Sequence, residues 1–235
     1  MLSIIIPALN EEEYLPRLLE SVKKQGFSDY ELILADAGST DSTLAIAGQY
    51  GCRVIEGGMP ARGRNNGARA AKGDLLFFLD ADTVLPDQFL QNSLAEFNHR
   101  NLDIAGFRLQ PYPKSRWTSF LLDLFYNYMV VATQPFLPHA AMGTLVKKDL
   151  FQKVGGFDEQ IRLAEDHEFA RRAARYGKFG IVRFTPILFS DRRFKKEGWV
   201  ALGFKYFLCG LYTTFIGPIK SDIFNYKFNH YKNDV

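Results

Sequence analysis

Cysteine is scarce: Cys52 and Cys209 are the only two in 235 residues. Neither sits in a C-x-x-C spacing or beside a histidine cluster, which excludes a disulfide framework and a zinc site. A dominant charge is also missing. The 29 basic and 26 acidic residues leave a net charge of +3. That excess is too weak to point to nucleic acid, because a phosphate feels nearby clusters more than the total. No Ser/Gly linker divides the chain, and no internal repeat is present. No G-x-G-x-x-G follows the first apolar run, so the dinucleotide fingerprint is absent. No basic segment precedes Leu2–Ile6, and that run is too short for the core of a signal peptide. The expectation is a cytosolic protein with reduced thiols.

Hydrophobic residues make up 47% of the chain, enough for one full core. Residues 2–6 read as a short strand ended by Pro7, followed by a helix from about Glu11 with Tyr14, Leu15, Leu18, Leu19 and Val22 on one face. Glu31–Ala35 and Cys52–Glu56 read as further strands. Asp41 or Ser42 caps the helix between them, and Gly51 ends it. A helix over 61–71 and the uniformly apolar strand Leu75–Leu79 follow. Runs of that kind fit strands covered on both faces. Strand and helix thus alternate through the first hundred residues, which predicts a mostly parallel, doubly wound α/β sheet with ligands at its carboxyl ends. Ile104–Leu109 reads as a half-buried strand.

Two stretches, Trp117–Pro138 and Trp199–Ile219, are apolar and about as long as a membrane span. Each holds one charge, Asp123 and Lys205. They fit helices on the sheet, a homodimer interface, helices lying at a membrane surface, or spans. The chain accordingly divides into an α/β domain over 1–198 and an apolar helix with a polar tail over 199–235.

Several residue groups carry chemistry. Asp80 and Asp82 follow the Leu75–Leu79 strand, and an extended segment would put both on one side. Two converging carboxylates fit Mg²⁺ or Mn²⁺ completed by substrate phosphates, or else a pair of turn-capping aspartates. Asp36 ends the second strand, where a carboxylate can accept N–H groups of a base or ribose hydroxyls, or close an Asx turn. Arg62, Arg64, Asn65 and Gly67 open a helix, suited to an anionic phosphate or to a solvated basic turn. Asp166 shares a helix face with Phe169, Ala170 and Ala173, while Glu168 can pair outward with Arg172. An inward carboxylate with a raised pKa suits a general base; a first-turn acid stabilised by the helix dipole is the alternative. His167 reads as a surface residue, and His139 as one that could line a site. The run Asp191–Lys196 suits a diphosphate, a lipid head group, or a solvated turn.

Taken together, these segments resemble the family 2 glycosyltransferases of the GT-A fold. The matching residues are Ser3 to Glu12, then Asp36-x-x-Ser39-Thr40-Asp41, Arg64-Asn65-Asn66-Gly67-Ala68, Asp80-Ala81-Asp82, Gly155 to Glu159, and Glu165-Asp166. They span roughly residues 2–180 in order. Ser190–Trp199 resembles a subset with an Arg-Arg-Phe run. The resemblance implies a nucleotide-diphosphate sugar donor and an Mn²⁺ or Mg²⁺ cofactor. Pro7, Ala8, Asn10, Glu11 and Asp36 would hold base and ribose. Arg64 and Arg193 would meet the phosphates. Asp80, Ala81 and Asp82 would bind ribose and metal, with Asp82 the nearer ligand. Asp166 would be the base of an inverting transfer. Gly63 stands where Ala is frequent, and the Gln-x-x-Arg-Trp motif of processive synthases is missing, which favours single transfers.

The acceptor stays open: a polyprenyl phosphate or other lipid at the inner face of the cytoplasmic membrane, or a soluble molecule. Leu79–Val84 also resembles the first motif of haloacid-dehalogenase phosphatases, which that fold carries in its first strand. A third reading is a sugar-nucleotide binder without catalysis, which should lack the base.

Overall fold

The computed structural model describes residues 1–113 and 116–221. The polar tail beyond residue 221 lies outside the described residues. The first half reads β1 (Leu2–Ala8), α1 (Leu15–Lys23), β2 (Tyr30–Asp36), α2 (Thr43–Gln49), β3 (Arg53–Glu56), α3 (Pro60–Ala70), β4 (Leu75–Leu79) and β5 (Thr83–Val84). Then come α4 (Phe89–His99), β6 (Ile104–Tyr112), α5 (Arg116–Leu122), a π-helical turn (Asp123–Asn127), α6 (Tyr128–Thr133) and β7 (Gly143–Lys147). The chain continues through α7 (Lys148–Lys153), α8 (Glu165–Ala173), β8 (Phe179–Ser190), α9 (Arg192–Glu197) and α10 (Trp199–Phe215).

One sheet carries all eight strands in the order β3-β2-β1-β4-β7-β6-β8-β5. The first four in that order are parallel. β7 runs against both β4 and β6, and β5 runs against β8. The sheet is therefore mostly parallel, as the alternation of elements requires. Side chains alternate across it. Leu2, Ile4, Ile6 and Ala8 of β1 enter the core shared with α1 and α4. Ile5 enters the opposite core, shared with α3, α7 and α8. Close approach of α3 to β1 depends on Gly67, where a Cβ would overlap Ile5 Cγ2. β6 is buried through Ile104–Phe107, not half-exposed, and runs on to Tyr112, because helices cover both faces there.

Two local departures have clear causes. α1 begins at Leu15 and not near Glu11, with Pro16 in its first turn. The chain before it is held in a bend: Asn10 is left-handed (φ +54°), and Asn10 donates to Ser39 Oγ (2.9 Å), Glu11 to Thr43 Oγ1 (2.8 Å) and Glu12 to Asp41 (3.3 Å). Asp80–Asp82 is not an extended continuation of β4. The Asp80 carbonyl accepts the Thr83 N–H (3.2 Å) and hydroxyl (2.7 Å), which closes a tight turn.

Of the two apolar stretches, the first becomes α5, the π turn and α6, and the second becomes α10. Among the described residues no helix is long and apolar enough to cross a membrane. Both expose large side chains, including Trp117, Phe120, Tyr128 and Phe136 on the first and Phe204, Phe215 and Ile216 on the second. α10 is tied back by Arg171 Nη1 donating to the Thr213 carbonyl (2.8 Å) and by buried Leu202 and Cys209.

Candidate active site

The strand order turns around β1, with β2 on one side and β4 on the other. Crevices of parallel sheets form at the carboxyl ends beside such a point. The sequence-selected residues gather there. Pro7 and Ala8 pair with Ala35 and Asp36 across the β1–β2 ladder. Asn10 and Glu11 follow, pinned by the loop after β2. Asp36 Oδ2 accepts the N–H groups of Gly38 (2.9 Å) and Ser39 (3.0 Å), an Asx turn. Its Oδ1 is buried with no partner. A buried acceptor left open costs free energy unless something donates to it.

At the end of β4 a guanidinium organises the carboxylates. Arg64 of α3 is buried, with Nη2 on Asp80 Oδ1 at 2.7 Å and Nη1 donating to Glu165 Oε1. Its guanidinium also covers the Phe157 ring at 5.5 Å. Burial opposes its charge, but Asp80, Glu165 and Asp166 outweigh that and hold it protonated. Asn65 locks α3 to the turn after α7. Its amide accepts the Phe157 N–H and donates to the Phe157 carbonyl, both at 2.9 Å. Gly156, in a left-handed conformation (φ +70°), leaves room for that amide.

Asp166 opens α8 with its side chain 18% exposed, while Phe169, Ala170 and Ala173 are buried as their spacing implied. Glu168 pairs outward with Arg172 at 2.8 Å. Burial pushes Asp166 up to about 7, against the opposing pull of Arg64 and with Asp80 adding to it. A carboxyl group near neutrality suits proton transfer at physiological pH.

The basic run forms α9 and not a solvated turn. Its first residue, Arg192, turns inward. Both its terminal nitrogens reach Glu11, at 3.1 and 3.2 Å, and Nη2 lies 3.1 Å from Asp82 Oδ2. It also covers the Tyr14 ring at 4.1 Å. Burial raises Glu11 to about 7, partly offset by Arg192. Burial raises Asp82 as well, with Arg192 opposing and Asp80 adding. Arg193 instead points toward Tyr206 of α10, at 3.5 Å. Adjacent arginines give no signal of which turns inward; the register of β8 and the Ser190 N–H to Asp82 carbonyl bond (3.0 Å) decide it.

Three further residues were not selected. Glu165, legible only as the neighbour of Asp166, is the second partner of Arg64. Tyr126 of the π turn has a buried hydroxyl without a partner, pushed above its ordinary pKa by burial and then by Asp166. His167 is not a surface residue: its ring stacks on His139, centroids 3.6 Å apart. The stack forms because the chain before β7 returns over α8, a contact no local pattern encodes.

Among the described residues no three His, Cys, Asp or Glu side chains cluster as a metal cage. The expected donor set is the smaller one of Asp82 and Asp80. Each carboxylate already meets a cation, Arg192 and Arg64 respectively. A site that draws positive charge to two carboxylates fits a hard divalent ion that takes its remaining ligands from phosphate and water. The phosphatase reading loses its ground, since Asp80 follows the fourth strand and is held by Arg64.

Solved structures with this architecture are GT-A glycosyltransferases. Staphylococcus aureus TarS, solved with UDP, superposes with a TM-score of 0.67 at 20% identity, covering 80% of this chain and 60% of that one. A Pyrobaculum calidifontis mannosyltransferase solved with GDP-Man and Mn²⁺ gives 0.66 at 20% identity, covering 80% and 56%. The profile described as Glycosyl transferase family 2 matches residues 3–157, and the chain belongs to that family. A PGL/p-HBAD biosynthesis glycosyltransferase of Mycobacterium tuberculosis is 31% identical over 84% of this chain and 83% of its own length. The glycosyltransferase EpsJ of Bacillus subtilis is 30% identical over 74% of this chain. The chain spans 56% of EpsJ and 32% of TarS.

Proposed function

We propose that the chain transfers a sugar, with inversion, from a nucleotide-diphosphate sugar to a hydroxyl or phosphate of an acceptor. The observation that carries this reading is the carboxylate set around Arg64, with Asp166 lifted to about 7, at the carboxyl end of β4. Asp36 Oδ1, lacking a donor, accepts from the base or ribose. The Pro7–Glu11 loop lines the same end of the sheet. Arg192, with Arg193 behind it, holds the diphosphate. Asp166 takes the acceptor proton. Arg64 fixes Asp80 and Glu165 in place. Asp82 and Asp80 would hold Mn²⁺ or Mg²⁺, which supplies Lewis-acid neutralisation of the departing diphosphate.

A lipid-borne acceptor, such as a polyprenyl phosphate presented at a membrane surface, fits the exposed apolar side chains. Tyr126 joins the first apolar segment to His139 beside α8, and Arg171 joins α10 to the same helix. Exposed Lys195 and Lys196 precede α10 and match an anionic surface. Residues 1–198 form the transferase unit in this reading, and α10 the attachment.

Nucleotide sugars should be screened for thermal stabilisation and slow hydrolysis with Mn²⁺ or Mg²⁺. One donor should stabilise the chain and turn over only with metal. Asp82→Ala should lose the metal response, and Asp166→Asn should bind without turnover. No stabilisation by any nucleotide sugar in either metal would sink the reading. Binding to anionic vesicles should fall when Trp117 and Phe136 are replaced by Asp; unchanged binding, or dimerisation through that face, would remove the membrane from it.

A further inference from the structure

His167 follows Asp166 on the first turn of α8, with its side chain 17% exposed and its Nδ1 buried without a hydrogen-bond partner. The Ala140 backbone carbonyl favours a hydrogen on the ring. Nδ1 has no hydrogen-bond partner, which assigns that hydrogen to Nε2. A carbonyl only accepts, so Nε2 carries the hydrogen and Nδ1 of the neutral ring presents a lone pair. That lone pair lies 3.5 Å from Asp166 Oδ1, which already receives the His167 backbone N–H at 2.8 Å. An ionised Asp166 meets Nδ1 acceptor to acceptor. A protonated Asp166 can donate to it, closing the gap to an ordinary hydrogen bond.

We infer that His167 Nδ1 is the built-in acceptor that holds the proton taken up by Asp166, which makes His167 a positioning residue for the transfer. This rests on the reading of Asp166 as the general base. In the step, a lone pair of the acceptor oxygen forms the bond to the anomeric carbon. The bond from that carbon to the donor phosphate breaks, and its electron pair leaves with the nucleoside diphosphate. The acceptor proton moves to Asp166 Oδ1 and is shared with Nδ1. His167 gains no charge, because burial of the ring, with Arg171 opposing as well, holds it down to about 4. The other groups facing the pair are Arg64 of α3, Asp80 after β4, Glu165 of α8, Tyr126 of the π turn and His139 before β7. Arg64 favours the ionised Asp166, and Asp80 favours the protonated one. The arrangement gives the proton a place to rest without a second buried charge.

The test is ¹⁵N NMR of the full chain labelled at histidine, from pH 5 to pH 8.5, with His167→Phe used to assign the signal. His167 should remain neutral with hydrogen on Nε2 throughout. Its Nδ1 shift should step at a midpoint near 7, the titration of Asp166. In Asp166→Asn the step should vanish, since the amide does not titrate. A second proton on His167 with a midpoint near 6.5, or hydrogen found on Nδ1, would overturn the inference. In the kinetic arm, donor hydrolysis by His167→Phe should fall about fivefold in kcat, the loss of one ordinary hydrogen bond. Its acidic limb should move to lower pH, with donor KM unchanged. An unmoved limb would count against it. If the NMR step appears but no nucleotide sugar turns over, the pair stands and the transferase reading fails. If Asp166→Asn abolishes turnover but the step is absent, the transferase reading stands and the pair fails.

Discussion

Asp166→Asn should make the protein more stable, by an amount that grows with pH between about 4 and 7 and then levels off. In the native chain Asp166 rises from its ordinary 3.8 to about 7, chiefly through burial. The folded state therefore binds this proton more tightly than the unfolded chain does. Stability from this group is fully present below about pH 4 and is lost as pH rises toward 7. About three units at about 1.4 kcal/mol each set an upper bound of about 4 kcal/mol on the cost at pH 8. Partial exposure of the side chain reduces this. Asparagine keeps the oxygen that accepts the His167 N–H and carries no charge at any pH. Arg64 keeps Asp80 and Glu165 as partners. Urea denaturation of both proteins at pH 4.5 and pH 8, without metal or nucleotide, reads the effect as a shift in midpoint at constant slope. Over the same comparison, turnover should fall by about a hundred- to ten-thousandfold. A variant with no greater advantage at pH 8 than at pH 4.5 would refute the claim that Asp166 is a costly buried carboxylate kept for chemistry.

Arg64→Ala leaves Asp80, Glu165 and Asp166 without their shared cation, and urea titration should show a loss of about 3–5 kcal/mol. Arg192→Ala uncovers Asp82, so Mn²⁺ affinity without nucleotide, read by electron paramagnetic resonance, should tighten several-fold while nucleotide-diphosphate affinity falls; Arg193→Ala should change the first little. Gly67→Ala forces a methyl group into Ile5 and should cost about 1–3 kcal/mol by the same urea assay.

Much of the fold was legible because its strands are written as short apolar runs: Leu2–Ile6 and Leu75–Leu79 needed no tertiary information. The inward face of α8 was legible from the spacing of Phe169, Ala170 and Ala173. What escaped depends on which distant groups compete for a given donor or charge. Asn10, Glu11 and Glu12 look like the start of a helix, but Ser39, Thr43 and Asp41 pin them to the loop after β2 with Asn10 left-handed. Asp80 and Asp82 look extended until Thr83 closes the turn. Arg192 and Arg193 are equivalent in sequence, and only the register of β8 against Asp82 separates them. The His139–His167 stack joins residues on different elements, and neither carries a local mark of it.

The central claim is an inverting transfer in which Asp166 is the base. With water as acceptor, ¹H NMR can follow the anomeric proton of the sugar released from an α-linked nucleotide sugar before mutarotation. The account predicts the β anomer first, formed with Mn²⁺ by the native chain and not by Asp166→Asn. Release of the α anomer, or equal hydrolysis by Asp166→Asn, would contradict it.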